Sequence, residues 1–210
     1  MKRILMLFCF LLCFVGCNNM TNEEKVILDK YVELTSEDYI NQYDYLIDNV
    51  KIVSVDYQTV MNKMKKDSFI LYVGGAWCPN CQAVAKFIND AAIETNQIVY
   101  NFDTRIGVEK TMESDIRNCF DKASYNLYKK FIEASSYVNP NQTVTENTDV
   151  YRMSVPTILV YQDGKLLDFI SEEYFYDGTI LFKKEEFHLE NKTDYSEEFY
   201  NSLLKLFAAI

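Results

Sequence analysis

Residues 69–90 read FILYVGGAWCPNCQAVAKFIND, and their chemistry is concentrated in Cys78 and Cys81. Three positions on a helix make about one turn, so a helix that begins at the first cysteine brings the second sulfur close enough to bridge it. The residues on either side favour that start. The apolar run before the pair reads as a strand, while Val84, Phe87, Ile88, Ala91 and Ala92 after it recur at helical spacing. Pro79 then falls at the first helical position, where its missing N–H costs nothing and its fixed φ suits the turn.

A sulfur at a helix start faces unpaired N–H groups and the positive end of the helix dipole, both of which favour the thiolate. Cys78 is therefore the expected nucleophile. Cys81, one turn further in, is the expected resolving thiol, which displaces whatever Cys78 has captured. Such a pair can reduce a disulfide or, run backwards, oxidise a dithiol, and it needs no cofactor. The competing chemistry is half of a zinc site. Two further ligands would be required, and beyond the export segment only Cys119 and His188 could supply them. His188 sits in a charged stretch that reads as solvated surface, and Cys119 falls on an apolar stripe that reads as a buried inert thiol, so no metal is expected.

The elements that must position the pair follow from periodicity. Residues 36–49 carry Tyr39, Ile40, Tyr43, Leu46 and Ile47 at helical spacing behind Ser36 as N-cap; residues 50–56 alternate as a strand and 57–66 return to helix. Residues 68–73, Ser68 followed by five apolar residues, predict a strand buried on both faces, at the centre of a sheet. Residues 97–103 form another strand. A long helix is expected from Thr111 to about Ser135, with Met112, Ile116, Cys119, Phe120, Ala123 and Leu127 on its stripe, and the polar stretch 138–149 ends it as a loop. Two strands around Asp163-Gly164 read as a hairpin. The chain closes on a helix from 194, with Asp194 and Glu197 at capping-box spacing and Phe199, Leu203, Leu206 and Phe207 on its apolar side. The fold class is α/β, a mixed sheet between helices.

The 210 residues, 49% apolar, suit one domain with appendages. Lys2 and Arg3 precede twelve apolar residues, 4–15, too few for a comfortable membrane span but the right length for an export signal. The ending FVGC resembles the lipobox of bacterial lipoproteins, which implies cleavage after residue 16, a lipid on Cys17 and a polar tether into the folded part. Loss of residues 1–16 removes two basic groups and no acid, taking the formal charge from −10 to −12. That balance repels nucleic acid and leaves the lipid as the membrane contact. It also leaves Cys78, Cys81 and Cys119 as the cysteines of the folded part, which excludes a disulfide scaffold.

ILYVGGAWCPNC together with YRMSVPTILVYQDGKLLD, in that order, resembles the thioredoxin superfamily, over residues 50–106 and 150–171. The resemblance implies a thioredoxin-like domain over 50–210 with a helical insertion at about 107–150, after a tether and N-terminal helix at 17–49. It implies a cis peptide before Pro156, packed against the cysteine pair, and a substrate groove formed by Trp77, Pro79, Asn80, Val155 and Pro156. Departures from thioredoxin itself are Pro79-Asn80 between the cysteines and Tyr72 at the place of a buried acid. Exported lipoproteins with such domains, including the bacteriocin transport accessory type, look nearer. The expectation is an extracytoplasmic, membrane-anchored monomer that exchanges disulfides with protein thiols. The alternative is a non-catalytic docking module on the same fold.

Overall fold

The computed structural model describes residues 20–138, 149–171 and 194–210. The export segment, Cys17, His188, all but the two end residues of the loop expected at 138–149, and the side chain of Asp194 lie outside them. The sheet is built on β2 (Phe69–Val73), every residue of which is buried, as its apolar run requires. Strand order is β1 (Ile52–Ser54), β3 (Val99–Phe102), β2, β4 (Thr157–Gln162), β5 (Lys165–Ser171). The first three are parallel and the last two antiparallel, so the sheet is mixed. The β4–β5 hairpin turns at Asp163 and Gly164, both at positive φ (51° and 74°), the geometry of a two-residue hairpin turn.

Helices cover both faces. On one, Phe102 packs against Tyr57 of α3 (Tyr57–Lys63) and Phe131 of α5 (Lys122–Ser135). On the other lies α4 (Pro79–Glu94), with Val84, Ile88, Ala91 and Ala92 fully covered and Phe87 set edge-on to Phe199 of α6 (Asp194–Phe207). Each such large apolar side chain removed from water contributes about 1.5–3 kcal/mol. Leu203, Leu206 and Phe207 complete that layer. Among the described residues no helix is long and apolar enough to cross a membrane.

Three elements differ from expectation. The polar stretch expected as a tether carries α1 (Asn22–Leu28), capped reciprocally by Thr21 and Glu24. Glu24 is wholly buried and takes both hydrogen bonds of the Lys130 ammonium at 2.9 Å, which ties α1 to α5. The next helix, α2 (Ser36–Gln42), is capped by Thr35 rather than Ser36, because the Thr35 hydroxyl accepts from Asp38 N–H while the Asp38 carboxylate accepts from Thr35 N–H. It stops seven residues short of 49. Gln82 of α4 donates to the Gln42 carbonyl (2.7 Å) and accepts from Asp44 N–H (3.3 Å), taking backbone groups that helix continuation would use. Tyr43 and Leu46 are nonetheless buried, while Ile47 is 77% exposed.

The long helix over 111–135 is the third. A single 3₁₀ turn (Ile116–Asn118) precedes α5, and Met112 and Phe120 point outward. Asp115 accepts from the N–H of Arg117 and binds its guanidinium, which holds the backbone in the tighter turn; Cys119 follows at φ 52°, and Asp121 then caps α5 afresh. Cys119 is therefore not on a helical stripe. It is half-buried at the end of that turn, directing its thiol to the carbonyls of Ile116 and Arg117, and burial pushes its pKa up to about 11.

Candidate functional site

Cys78 is the N-cap of α4 and Pro79 its first residue, so the helix begins at the sulfur. The N–H of Cys81 points at Cys78 Sγ from 3.4 Å. The two sulfurs are unbridged. Cys81 is fully covered, whereas Cys78 keeps 6% of its surface, enough to separate an outer thiol from a sealed one.

Opposite the pair is the turn that enters β4. The Val155-Pro156 peptide is cis, as expected, and the Val155 carbonyl accepts from Cys78 Sγ at 3.5 Å. Thr157 closes the turn by donating to the Ser154 carbonyl. Residues 77 apart in sequence thus share one spot. The segment before them is clamped on both sides. Met153 N–H donates to the Tyr128 hydroxyl of α5, and the Met153 carbonyl accepts from the Arg117 guanidinium (3.0 Å). The Tyr128 hydroxyl itself donates to the Tyr151 carbonyl. Arg117 and Tyr128 therefore hold the segment that leads to the Val155 carbonyl.

Of the residues expected in the groove, Pro79 is exposed, Asn80 and Trp77 are partly exposed, and Val155 and Pro156 are buried beside Cys78. Trp77 and Pro79 adjoin Cys78 in the chain, Asn80 is two positions on, and the Val155 carbonyl meets the sulfur just before Pro156. Trp77 is fixed from behind, since its indole N–H donates to Asp103 (2.9 Å) and the Arg105 guanidinium stacks on its ring at 3.7 Å. Asp103 is pushed up by burial, which Lys110, Trp77 and the Arg105 N–H partly offset. Gly75 makes room for this, because a Cβ there would meet Trp77 Nε1 at 2.4 Å and the Asp103 carboxylate at 2.5 Å.

Behind Cys81 stands a buried pair of phenols. The Tyr72 hydroxyl stands on the Cys81 side of Gly74 and lies 3.5 Å from the Tyr43 hydroxyl of the N-terminal segment. Burial, and then Cys78, raise the Cys81 pKa well above the ordinary thiol value; Tyr72 and the Gly75 N–H pull the other way. Both phenols are pushed up as well, mainly by burial, so they stay protonated and can donate. Gly74 leaves the space, since a Cβ would sit 2.6 Å from Cys81 Sγ and 3.2 Å from the Tyr72 oxygen. Asn101 fastens the strand ends there, donating to the carbonyls of Tyr72 and Gly74 while accepting from Tyr39.

Periodicity gave no sign of Tyr43, Asn101, Asp103, Arg105 or Arg117 as parts of this site. The Gly74-Gly75 doublet just before the cysteines is the one local signal that side chains must crowd the backbone there. Among the described residues no group of three or more His, Cys, Asp or Glu side chains is placed to hold a metal. Compared with known proteins, the chain matches no family model, and no curated protein matches it in sequence.

Proposed function

We propose that the chain is a thioredoxin-like thiol–disulfide oxidoreductase, tethered outside the cytoplasm of a bacterium by lipid on Cys17, with Cys78 as nucleophile and Cys81 as resolving thiol. The observation that carries the reading is the meeting of the two separated motifs, Cys78 Sγ at the start of α4 and the Val155 carbonyl before the cis peptide, 3.5 Å apart. A substrate strand lying along that turn would present its sulfur to Cys78.

The exchange balances without a cofactor. The Cys78 thiolate attacks one sulfur of a substrate disulfide, the substrate S–S bond breaks, and the departing thiolate takes a proton. Cys81 then gives up its proton and attacks Cys78 Sγ. A Cys78–Cys81 disulfide forms, and the second substrate sulfur leaves with that proton. The substrate gains two electrons and the pair loses two, which a thiol reductant must restore. In the opposite direction the disulfide form oxidises a dithiol. The test is turnover of a disulfide-linked peptide by the chain and by Cys78→Ser; equal rates would remove the enzyme and leave a docking module.

The sealed position of Cys81 makes the second step the slow one. As pH rises toward its elevated pKa, more of it is thiolate, so resolution accelerates across the neutral and alkaline range. The Tyr72 hydroxyl donates to that forming thiolate. Tyr72→Phe keeps the ring and removes the donor, and a hydrogen bond to a charged group is worth about 1.5–3 kcal/mol, or about ten- to a hundredfold. The mixed disulfide should therefore live at least about tenfold longer in quenched-flow mass spectrometry, with the rate of its formation unchanged. An unaltered lifetime would remove the phenol from the chemistry.

The anchor rests on FVGC and Cys17 in the sequence. Cys17→Ala should move the protein from the membrane fraction to the soluble one, whereas retention on membranes would assign the attachment to another segment.

A further inference from the structure

The N-terminal segment and the start of α4 line an open hollow of about 390 Å³, walled by Asp44, Tyr45, Trp77, Pro79 and Ala83 with Gln82 between them. The wall is built rather than draped. The Gln82 amide donates to the carbonyls of Gln42 (2.7 Å) and Ala76 (2.9 Å) and accepts from Asp44 N–H, so one side chain pins residues 42–44 against the start of α4. Trp77 cannot swing across the opening, because Asp103 holds its N–H and Arg105 covers its ring from behind. Tyr45 stays 49% exposed, a large aromatic face at this edge of the hollow.

Among the described residues the lining has one charged residue, Asp44. An aromatic face, an apolar floor and a single carboxylate in one concavity match a long basic side chain, whose methylenes pack on Pro79 and Ala83 while its head reaches the acid and the ring. An uncharged apolar side chain would strip water from Asp44 without replacing it, and an acidic one would add repulsion on a chain of net charge −10. Trp77 and Pro79 are the immediate neighbours of Cys78, so an occupant of the hollow lies within a few residues of the sulfur under attack, at about 3.3–3.6 Å per extended residue.

We propose that this hollow is a specificity subsite that accepts a lysine or arginine of the substrate polypeptide within about three residues of its reactive cysteine. The subsite rests on the oxidoreductase reading and adds the class of substrate to it. Asp44 and Tyr45 of its wall come from outside the segment that carries the cysteine chemistry.

The experiment uses disulfide-linked peptides identical except for Arg, Leu or Glu at each of the three positions on either side of cysteine, with kcat/KM measured at low and high salt. At one or more positions the Arg peptide should exceed the Glu peptide by about fivefold or more, an advantage that shrinks with salt. Asp44→Asn should bring the Arg-to-Glu ratio close to one, and Asp44→Lys should invert it. Tyr45→Ala should lower it by a smaller factor. Equal kcat/KM for Arg and Glu peptides throughout, or a preference that survives Asp44→Lys, overturns the subsite while the oxidoreductase stands. No turnover of any peptide overturns the oxidoreductase reading and the subsite with it.

Discussion

Cys81→Ser should halt the reaction halfway, leaving the chain joined to its substrate through Cys78 in near-stoichiometric yield, while Cys78→Ser yields no adduct and loses at least about a thousandfold in turnover. The asymmetry follows from burial. Cys78 keeps a small exposed rim beside the Val155 carbonyl, and Cys81 has none, so an external disulfide can reach only the first. With serine at 81 the hydroxyl is far too weak an acid to resolve the adduct, and the mixed disulfide persists. Non-reducing electrophoresis and intact mass report the adduct directly. Cys119 supplies the internal control. Its thiol is held up to about 11 by burial and sits at the end of the 3₁₀ turn, so it should take neither adduct nor alkylating reagent at neutral pH. Adducts on Cys81 in Cys78→Ser, or equal trapping by both variants, would reverse the assigned roles.

The parts of this site that sequence reveals are those whose signals are local. A five-residue apolar strand, a proline after a cysteine and an apolar stripe on α4 each carry their own meaning, and they place Cys78 at a helix start before any tertiary contact is known. The Asp163-Gly164 turn orders the hairpin for the same reason. The segment 111–121 defeats periodicity because an ion pair decides it. Asp115 binds both the backbone and the side chain of Arg117, and the stripe that Met112 and Phe120 would have continued is left in water. Tyr43 escapes notice for a different reason. Its spacing in the sequence puts it on a helical stripe, yet its partner, Tyr72, is 29 residues away on a strand, and nothing in either local pattern reports that their hydroxyls meet behind a thiol. Long-range polar contacts leave no periodic trace.

Arg117 should be the costliest single side chain to remove outside the apolar core, and the cost should appear in catalysis as well as stability. It is 4% exposed and Asp115 is 2% exposed. Its Nε and Nη2 donate to the Asp115 carboxylate at 3.0 and 2.7 Å, its Nη1 to the Met153 carbonyl at 3.0 Å, and its guanidinium lies 5.3 Å from the centre of the Trp77 ring. Burial weakens the guanidinium as an ion and Asp115 more than restores it. Arg117→Met strands the Asp115 carboxylate, whose nearest remaining cation, Arg105 Nε, stands at 3.9 Å, beyond hydrogen-bond reach. Breaking a buried pair in this way costs about 3–5 kcal/mol, which urea unfolding measures directly. Adding Asp115→Leu removes the stranded charge and should recover a substantial part of that loss, giving a coupling energy above about 1 kcal/mol in the double-mutant cycle. The catalytic consequence is separate, because the Met153 carbonyl loses its donor in both variants and Met153 is two residues from Val155. Turnover of a peptide disulfide should therefore stay depressed in the double variant after stability has returned. Recovery of turnover in step with stability would show that Arg117 holds the fold alone and has no hold on the turn facing Cys78.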